Sequence, residues 1–239
     1  MTGNRVISSD SHVFEPPDLW TSRVEPRYKD RAPRVVHRDE DDTDWWMCDG
    51  VKGPSGGSGS QAGKRFDPEA AATLSFADKY ENVRPGAYDP HEHMKDMDID
   101  GIDVNVLYPT TGLILYCVPD GDLLTVLFRA YNDWLAEFCR VSPQRLKGIA
   151  MLNVDDVASG VAELERCARL GLIGAMITVY PEARPYGSEE YEPLWAAAQD
   201  LAMPLSLHLA TNRPSPDSPP IDLETMPASL LVNVDHWVR

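Results

Sequence analysis

No stretch of this 239-residue chain approaches the roughly 20 consecutive apolar residues that a membrane-spanning helix needs. Met1 to Asp10 has neither a basic n-region nor an apolar h-region, so no secretory leader is expected there. Cysteine is sparse. Cys48, Cys117, Cys139 and Cys167 lie far apart, and no two stand in a C-x-x-C spacing. That excludes a zinc ribbon and a thioredoxin motif and leaves reduced, packed thiols, as in a cytoplasmic protein. Positive charge is also short: 22 Lys and Arg stand against 38 Asp and Glu, a net charge of −16. An acidic surface repels polyanions, so nucleic acid and anionic membrane are poor partners. A small anionic substrate would need a local positive centre, such as a metal ion or a placed arginine. Finally, the turn after the first strand candidate lacks the glycines that cradle a nucleotide phosphate. It reads Asp10-Ser11-His12 and runs into Glu15-Pro16-Pro17-Asp18-Leu19-Trp20.

What remains is ordinary globular sequence, 43% hydrophobic and 25% charged, long enough to bury a full core. Residues 5–9 form the first strand candidate. Residues 38–89 differ in kind, with an acidic run, the pair Trp45-Trp46 and a tract rich in Gly and Ser over 53–60. Such composition predicts a flexible surface insertion, or a lid over a site. From residue 90 the text becomes regular. A helix over 91–100 should stop at Gly101, and a strand over 104–108 follows. The next helix carries Leu124, Leu127, Phe128, Tyr131, Leu135 and Phe138 as one apolar stripe. Then come a strand at 146–152, a helix over 157–170 stopping at Gly171, a strand at 173–179, a helix over 189–202 and a strand at 204–209. A last helix candidate covers 226–238. Strands alternating with helices mean βαβ units and a parallel sheet. The fold class expected is α/β, a TIM-type (β/α)8 barrel in which chemistry gathers at the C-terminal strand ends. About five β/α units are legible, so residues 1–239 are expected to form the N-terminal part of one barrel domain, poorly soluble and inactive alone.

Asp10 and His12 stand two apart, and in an extended chain such residues share a face. A carboxylate oxygen and an imidazole nitrogen suit Zn²⁺ or Mn²⁺. A turn-capping Asp beside a surface His is the plainer reading of this pair. His208 shifts the balance. In its strand, Leu205, Leu207 and Leu209 alternate with Ser206, His208 and Ala210, which turns His208 toward the lumen and the Leu side chains toward helices. Asp10, His12 and His208 are therefore expected to converge on one ion. Asp96, Asp98 and Asp100 imitate an EF-hand start, but Leu107 stands where its bidentate Glu would be. His91 and His93, two apart on a helix, point to different sides and make a poor ligand pair. Tyr108, Thr110, Tyr180 and Arg213 lie at other strand ends and are candidate substrate contacts.

Taken together, residues 6–20, the run from Met97 to Asp103 leading into Val106-Leu107-Tyr108-Pro109-Thr110, and the strand ending at His208 resemble the amidohydrolase-related proteins. That group includes aminocarboxymuconate-semialdehyde decarboxylase and aromatic acid decarboxylases. The resemblance spans nearly the whole chain apart from the insertion. It implies a distorted (β/α)8 barrel of the metal-dependent hydrolases with one divalent ion. It implies ligand roles for His12 and His208, with Asp10 where the family usually has His or Glu. The family also uses a His after strand six and an Asp after strand eight, which no residue here matches; His236 is not promoted to that role. The catalytic residues are therefore expected beyond Arg239. The function implied is a metal-dependent, non-oxidative decarboxylase acting on a small unsaturated or aromatic carboxylic acid. A hydrolase using metal-activated water on an amide or ester is the first alternative. A barrel remnant that only binds a partner is the second, which metal analysis would tell apart. A homodimer is allowed.

Overall fold

In the computed structural model, which describes residues 5–63, 77–179, 184–211 and 213, the first strand outruns its apolar residues. This strand, β1 (Ile7–His12), carries both Asp10 and His12. Contacts divide the chain into two compact units, residues 1–111 with 137–147, and residues 112–136 with 148–239.

In the first unit β1 leads to a short helix, α1 (Leu19–Arg23), and then to a three-stranded antiparallel sheet of β2 (Arg34–Arg38), β3 (Thr43–Cys48) and β4 (Val51–Ser55). This sheet occupies part of the segment expected to be a flexible insertion. Its alternation separates the tryptophan pair. Trp46 is buried and meets Trp20 of α1 edge to face at 5.6 Å, whereas Trp45 stacks under Arg38 and Lys52. The Gly/Ser tract is also specifically held. Ser60 Oγ donates to Asp78 at 2.6 Å. A Cβ on Gly57 would stand 2.3 Å from the Asp78 backbone, so only glycine lets these two segments approach.

The regular part begins with α2 (Pro90–Asp100). The Asp89 side chain caps it by accepting from the His91 and Glu92 N–H groups, Pro90 opens its first turn, and Gly101 closes it at φ 69°. The acidic run that imitates a calcium loop is thus the end of this helix. β5 (Val104–Tyr108) then pairs in parallel with β1, from Ile7↔Val104 to His12↔Tyr108. His93, read as a poor ligand, is a packing residue. Its Nδ1–H donates to Gly86 O at 2.6 Å and its Nε2 accepts from Asn105 at 3.0 Å.

Burial holds the His93 imidazole below its ordinary value of 6.5, against upward pulls from the Gly86 carbonyl and Asp96. The unfolded chain therefore takes up a proton here more readily than the fold does. The associated stability is fully present above pH 6.5 and is lost as pH falls from there through the lower folded value. Urea unfolding at about pH 7.5 and about pH 5.5 should show a loss in the parent protein that shrinks in His93→Gln. Equal losses in both would refute this source of acid sensitivity.

Along the second unit come α3 (Thr111–Leu115), α4 (Gly121–Cys139), β6 (Leu146–Met151), α5 (Val157–Leu170), β7 (Gly174–Ile177), α6 (Glu192–Asp200) and β8 (Leu205–Leu207). Thr111 at the start of α3, the C-terminal end of α4 and the start of β6 count with the first unit. The expected stripe on α4 is buried at every position named above. Within this unit β6, β7 and β8 pair in parallel, in the register Met151↔Met176↔Ser206. All four residues of β7 are buried, as when helices or neighbours cover both faces of a strand. β8 stops sooner than expected, at Leu207, which pairs with Ile177, the last residue of β7. Leu207 and Leu209 are consequently exposed rather than packed on helices. The helix candidate at 226–238 lies outside the described residues. Among the described residues no helix is long and apolar enough to cross a membrane.

None of the four cysteines forms a disulfide. Burial pushes the Cys48 thiol up to about 12 and Cys117 up to about 11, so both stay protonated and weakly nucleophilic at neutral pH.

Candidate metal centre

Asp10 and His12 sit at the C-terminal end of β1 and face each other, with His12 Nε2 3.5 Å from Asp10 Oδ1. The other ring nitrogen is engaged: His12 Nδ1 lies 2.7 Å from Pro109 O. A carbonyl only accepts, so Nδ1 carries a proton, and it is the neutral ring whose Nε2 can offer a lone pair to a cation beside the carboxylate. A metal-ligating histidine shows this pattern, because the second hydrogen bond fixes both tautomer and ring plane. The side chains are open to solvent, Asp10 at 65% and His12 at 34%.

His208 belongs to the second unit and directly follows β8. Its ring has the same arrangement, with Nδ1 2.8 Å from the Leu209 carbonyl, which leaves Nε2 as the nitrogen that can face a cation. Its backbone is pinned by Thr211, a fully buried residue. Thr211 Oγ1 donates to His208 O at 2.6 Å and accepts from Val179 N–H at 3.0 Å. Thr178 Oγ1 adds a bond to the Thr211 carbonyl.

The candidate substrate contacts fare differently. Tyr108 ends β5, largely buried, with its ring 6.2 Å from that of His12. Thr110 directs its hydroxyl to Val13 O at 2.7 Å. Arg213 donates from Nε to both Asp155 carboxylate oxygens at 3.0 and 3.1 Å, from Nη1 to Tyr116 O at 3.3 Å and from Nη2 to Pro119 O at 3.2 Å. It also bonds Val118 O. Arg213 thus clamps the chain after α3 to the Asp155 turn, and a substrate carboxylate would have to displace these partners. Tyr180 lies outside the described residues.

Sequence reasoning missed two kinds of residue here. Thr178 and Thr211 look like ordinary strand-end polar residues. Glu15, in a Pro-rich turn, reads as solvated, yet it is fully buried and accepts from Thr111 N–H at 2.8 Å. Its only sequence signal is its place three residues after His12.

A family model described as Amidohydrolase matches residues 118–239. Gamma-resorcylate decarboxylase of Rhizobium radiobacter is 30% identical over 122 residues, which cover 48% of this chain and 37% of that protein. The chain thus spans little more than a third of that relative's length. Among solved structures, an amidohydrolase from Mycobacterium avium subsp. paratuberculosis superposes with a TM-score of 0.70 at 19% identity, over 87% of this chain and 60% of that one. 5-Carboxyvanillate decarboxylase of Novosphingobium aromaticivorans, with bound manganese and 3-methoxy-4-hydroxy-5-nitrobenzoic acid, gives a TM-score of 0.54 at 20% identity, over 98% of this chain and 56% of that one. At these identities the likeness shows the fold. The succession of parallel β/α units is that of the TIM-type (β/α)8 barrel, partly represented in this chain.

Proposed function

From the premise that this chain belongs to the amidohydrolase family, we propose that it serves a metal-dependent enzyme that removes CO₂ from an aromatic carboxylic acid without redox chemistry. The relatives named above include decarboxylases of aromatic acids, one of them holding manganese. The observation that carries the reading is the Asp10–His12 pair at the end of β1. Its one ring nitrogen is tied to a backbone carbonyl and the other is turned to a carboxylate.

Asp10, His12 and His208 are the proposed ligands of one divalent ion. Together they offer one carboxylate oxygen and two imidazole nitrogens, a donor set that fits Zn²⁺ or Mn²⁺. Bound there, the ion would act as a Lewis acid that fixes and polarises the oxygens of an acidic substrate. It would also supply the positive centre that a chain of net charge −16 needs to attract an anion. The residues themselves do the positioning. Pro109 O and Leu209 O hold the two rings in the tautomer that leaves Nε2 bare. Tyr108 lines the strand end beside His12 and is the proposed contact for the substrate ring.

The test is made on the full-length protein, stripped of metal and reloaded with Mn²⁺ or Zn²⁺. It is incubated with 2,6-dihydroxybenzoate, 5-carboxyvanillate and a set of aryl esters and amides. CO₂ release that requires the ion is the expected result. Ion-dependent cleavage of esters or amides alone would replace the lyase by a hydrolase. Failure to retain either ion would overturn the metal centre.

A further inference from the structure

We propose that Glu15 is a positioning residue for His12, acting through a side-by-side clasp of the segments that follow β1 and β5; this rests on the reading of His12 as a metal ligand. The parallel ladder ends at His12↔Tyr108, but the two segments stay joined beyond it. Val13 N–H donates to Tyr108 O at 3.0 Å. His12 Nδ1–H donates to Pro109 O at 2.7 Å. Thr110 Oγ1 donates back to Val13 O at 2.7 Å. Thr111 N–H donates to Glu15 Oε2 at 2.8 Å.

Residues 12, 13 and 15 on one side and 108–111 on the other are thus tied by four bonds. Only one of the four is backbone to backbone, so the side chains decide whether the segments stay in register. Glu15 closes the far end. Its carboxylate is fully buried, and Tyr80, whose hydroxyl donates to the Glu15 carbonyl at 3.1 Å, holds its backbone from the other side. The Pro109 carbonyl lies between the ladder and this last tie. Proline fixes φ and has no N–H of its own, so the placement of that carbonyl depends on the neighbours that anchor the segment. Loosening Thr111 frees residues 109–111 to move, and His12 Nδ1 loses the fixed acceptor that sets its tautomer. Such outer partners change metal affinity by about 10–100-fold when removed.

The clasp makes a prediction separable from metal binding itself. In the metal-free full-length protein at about pH 8, ¹⁵N chemical shifts of the His12 ring report the tautomer directly. The parent protein should show Nδ1–H alone. Glu15→Gln keeps an acceptor oxygen and should keep that tautomer. Glu15→Leu removes the acceptor and should show both tautomers, with Mn²⁺ affinity reduced about 10–100-fold in equilibrium dialysis. A folded Glu15→Leu protein with parental tautomer and affinity overturns the proposal. So does a Glu15→Gln protein as impaired as Glu15→Leu. Should Glu15→Leu not fold, Thr110→Val decides, since it cuts the adjacent tie at nearly constant volume: mixed tautomers support the clasp and a single parental tautomer overturns it. If the parent protein takes up no Mn²⁺, the metal reading fails, while the tautomer of the metal-free ring still judges the clasp.

Discussion

Replacing Asn132 by leucine should destabilise the protein by about 3–5 kcal/mol, because it strands two backbone groups in the interior. Asn132 is fully buried on α4 and treats Met151 as a strand would. Its Nδ2–H donates to Met151 O at 3.0 Å while its Oδ1 accepts from Met151 N–H at 2.8 Å. The same Nδ2 reaches Glu163 at 2.9 Å, and Arg166 completes the group with bonds to Glu163 and Asp133. Burial opposes the Glu163 charge, but the Arg166 guanidinium, with help from Asn132, holds its carboxyl below the ordinary carboxylate value. Leucine keeps the branched shape, is somewhat larger and supplies no polar atom, so Met151 N–H and C=O lose their partners at about 1–3 kcal/mol each, and Glu163 loses a donor. In a chain of this size the melting temperature should fall by roughly 10 °C. Urea unfolding of Asn132→Leu beside the parent protein measures the loss of the two bonds together. A loss below about 1 kcal/mol for leucine would mean that Met151 finds other partners and that the α4–β6 tie is dispensable.

The second large effect is chemical. On the proposed function, His12→Ala in the full-length protein should lower kcat/KM for CO₂ release by about 10³-fold or more, since a Lewis acid contributes several kcal/mol of transition-state stabilisation. His208→Ala should match it if the two histidines serve one ion. Asp10→Asn keeps an oxygen donor and removes only the charge, so its loss should be smaller and should shrink when Mn²⁺ is supplied in excess. The readouts are bound metal per chain after dialysis and initial rates of CO₂ release. His12 is partly exposed, so its removal should leave the melting temperature of the metal-free protein within a few degrees of the parent's. A His12→Ala protein that keeps both its ion and its activity within tenfold would remove His12 from the centre.

The parts of the fold legible in sequence are those governed by short-range chemistry. The predicted strand at 104–108 and the helix at 157–170 coincide with the observed elements, since apolar runs and glycine stops are local signals. Pairing is not local, and there the predictions drift. β1 runs to His12 because β5 offers Tyr108 as its partner, and β8 ends at Leu207, which pairs with Ile177, the last residue of β7. The antiparallel sheet of β2, β3 and β4 is hidden by acidic and Gly/Ser-rich composition, although its register joins Val36 to Trp45 and Cys48 to Val51. For the candidate centre, residue type was legible and commitment was not. Asp10 and His12 follow from strand parity. That Thr110 and Arg213 use their donors on backbone carbonyls depends on segments distant in sequence, and no pattern at those positions reports it. Glu15 is the strongest case, a fully buried acid in a turn whose composition says surface.

Gly101 and Gly171, at φ 69° and 91°, return the chain from α2 and α5 to the next strand within residues 101–103 and 171–173. Those returns leave no slack: an added residue would shift the strand's register and turn every side chain on it to the opposite face. Beyond the clasp at residues 12–15 and 108–111, the stretches leaving the strands carry no such constraint, and the one after β1 already accommodates an antiparallel sheet. Diversification in such a chain is therefore one-sided. New length is tolerated at the strand ends where Asp10 and His12 stand and not at the opposite ends. A scan of short insertions along the gene should recover viable clones after strands and almost none before them.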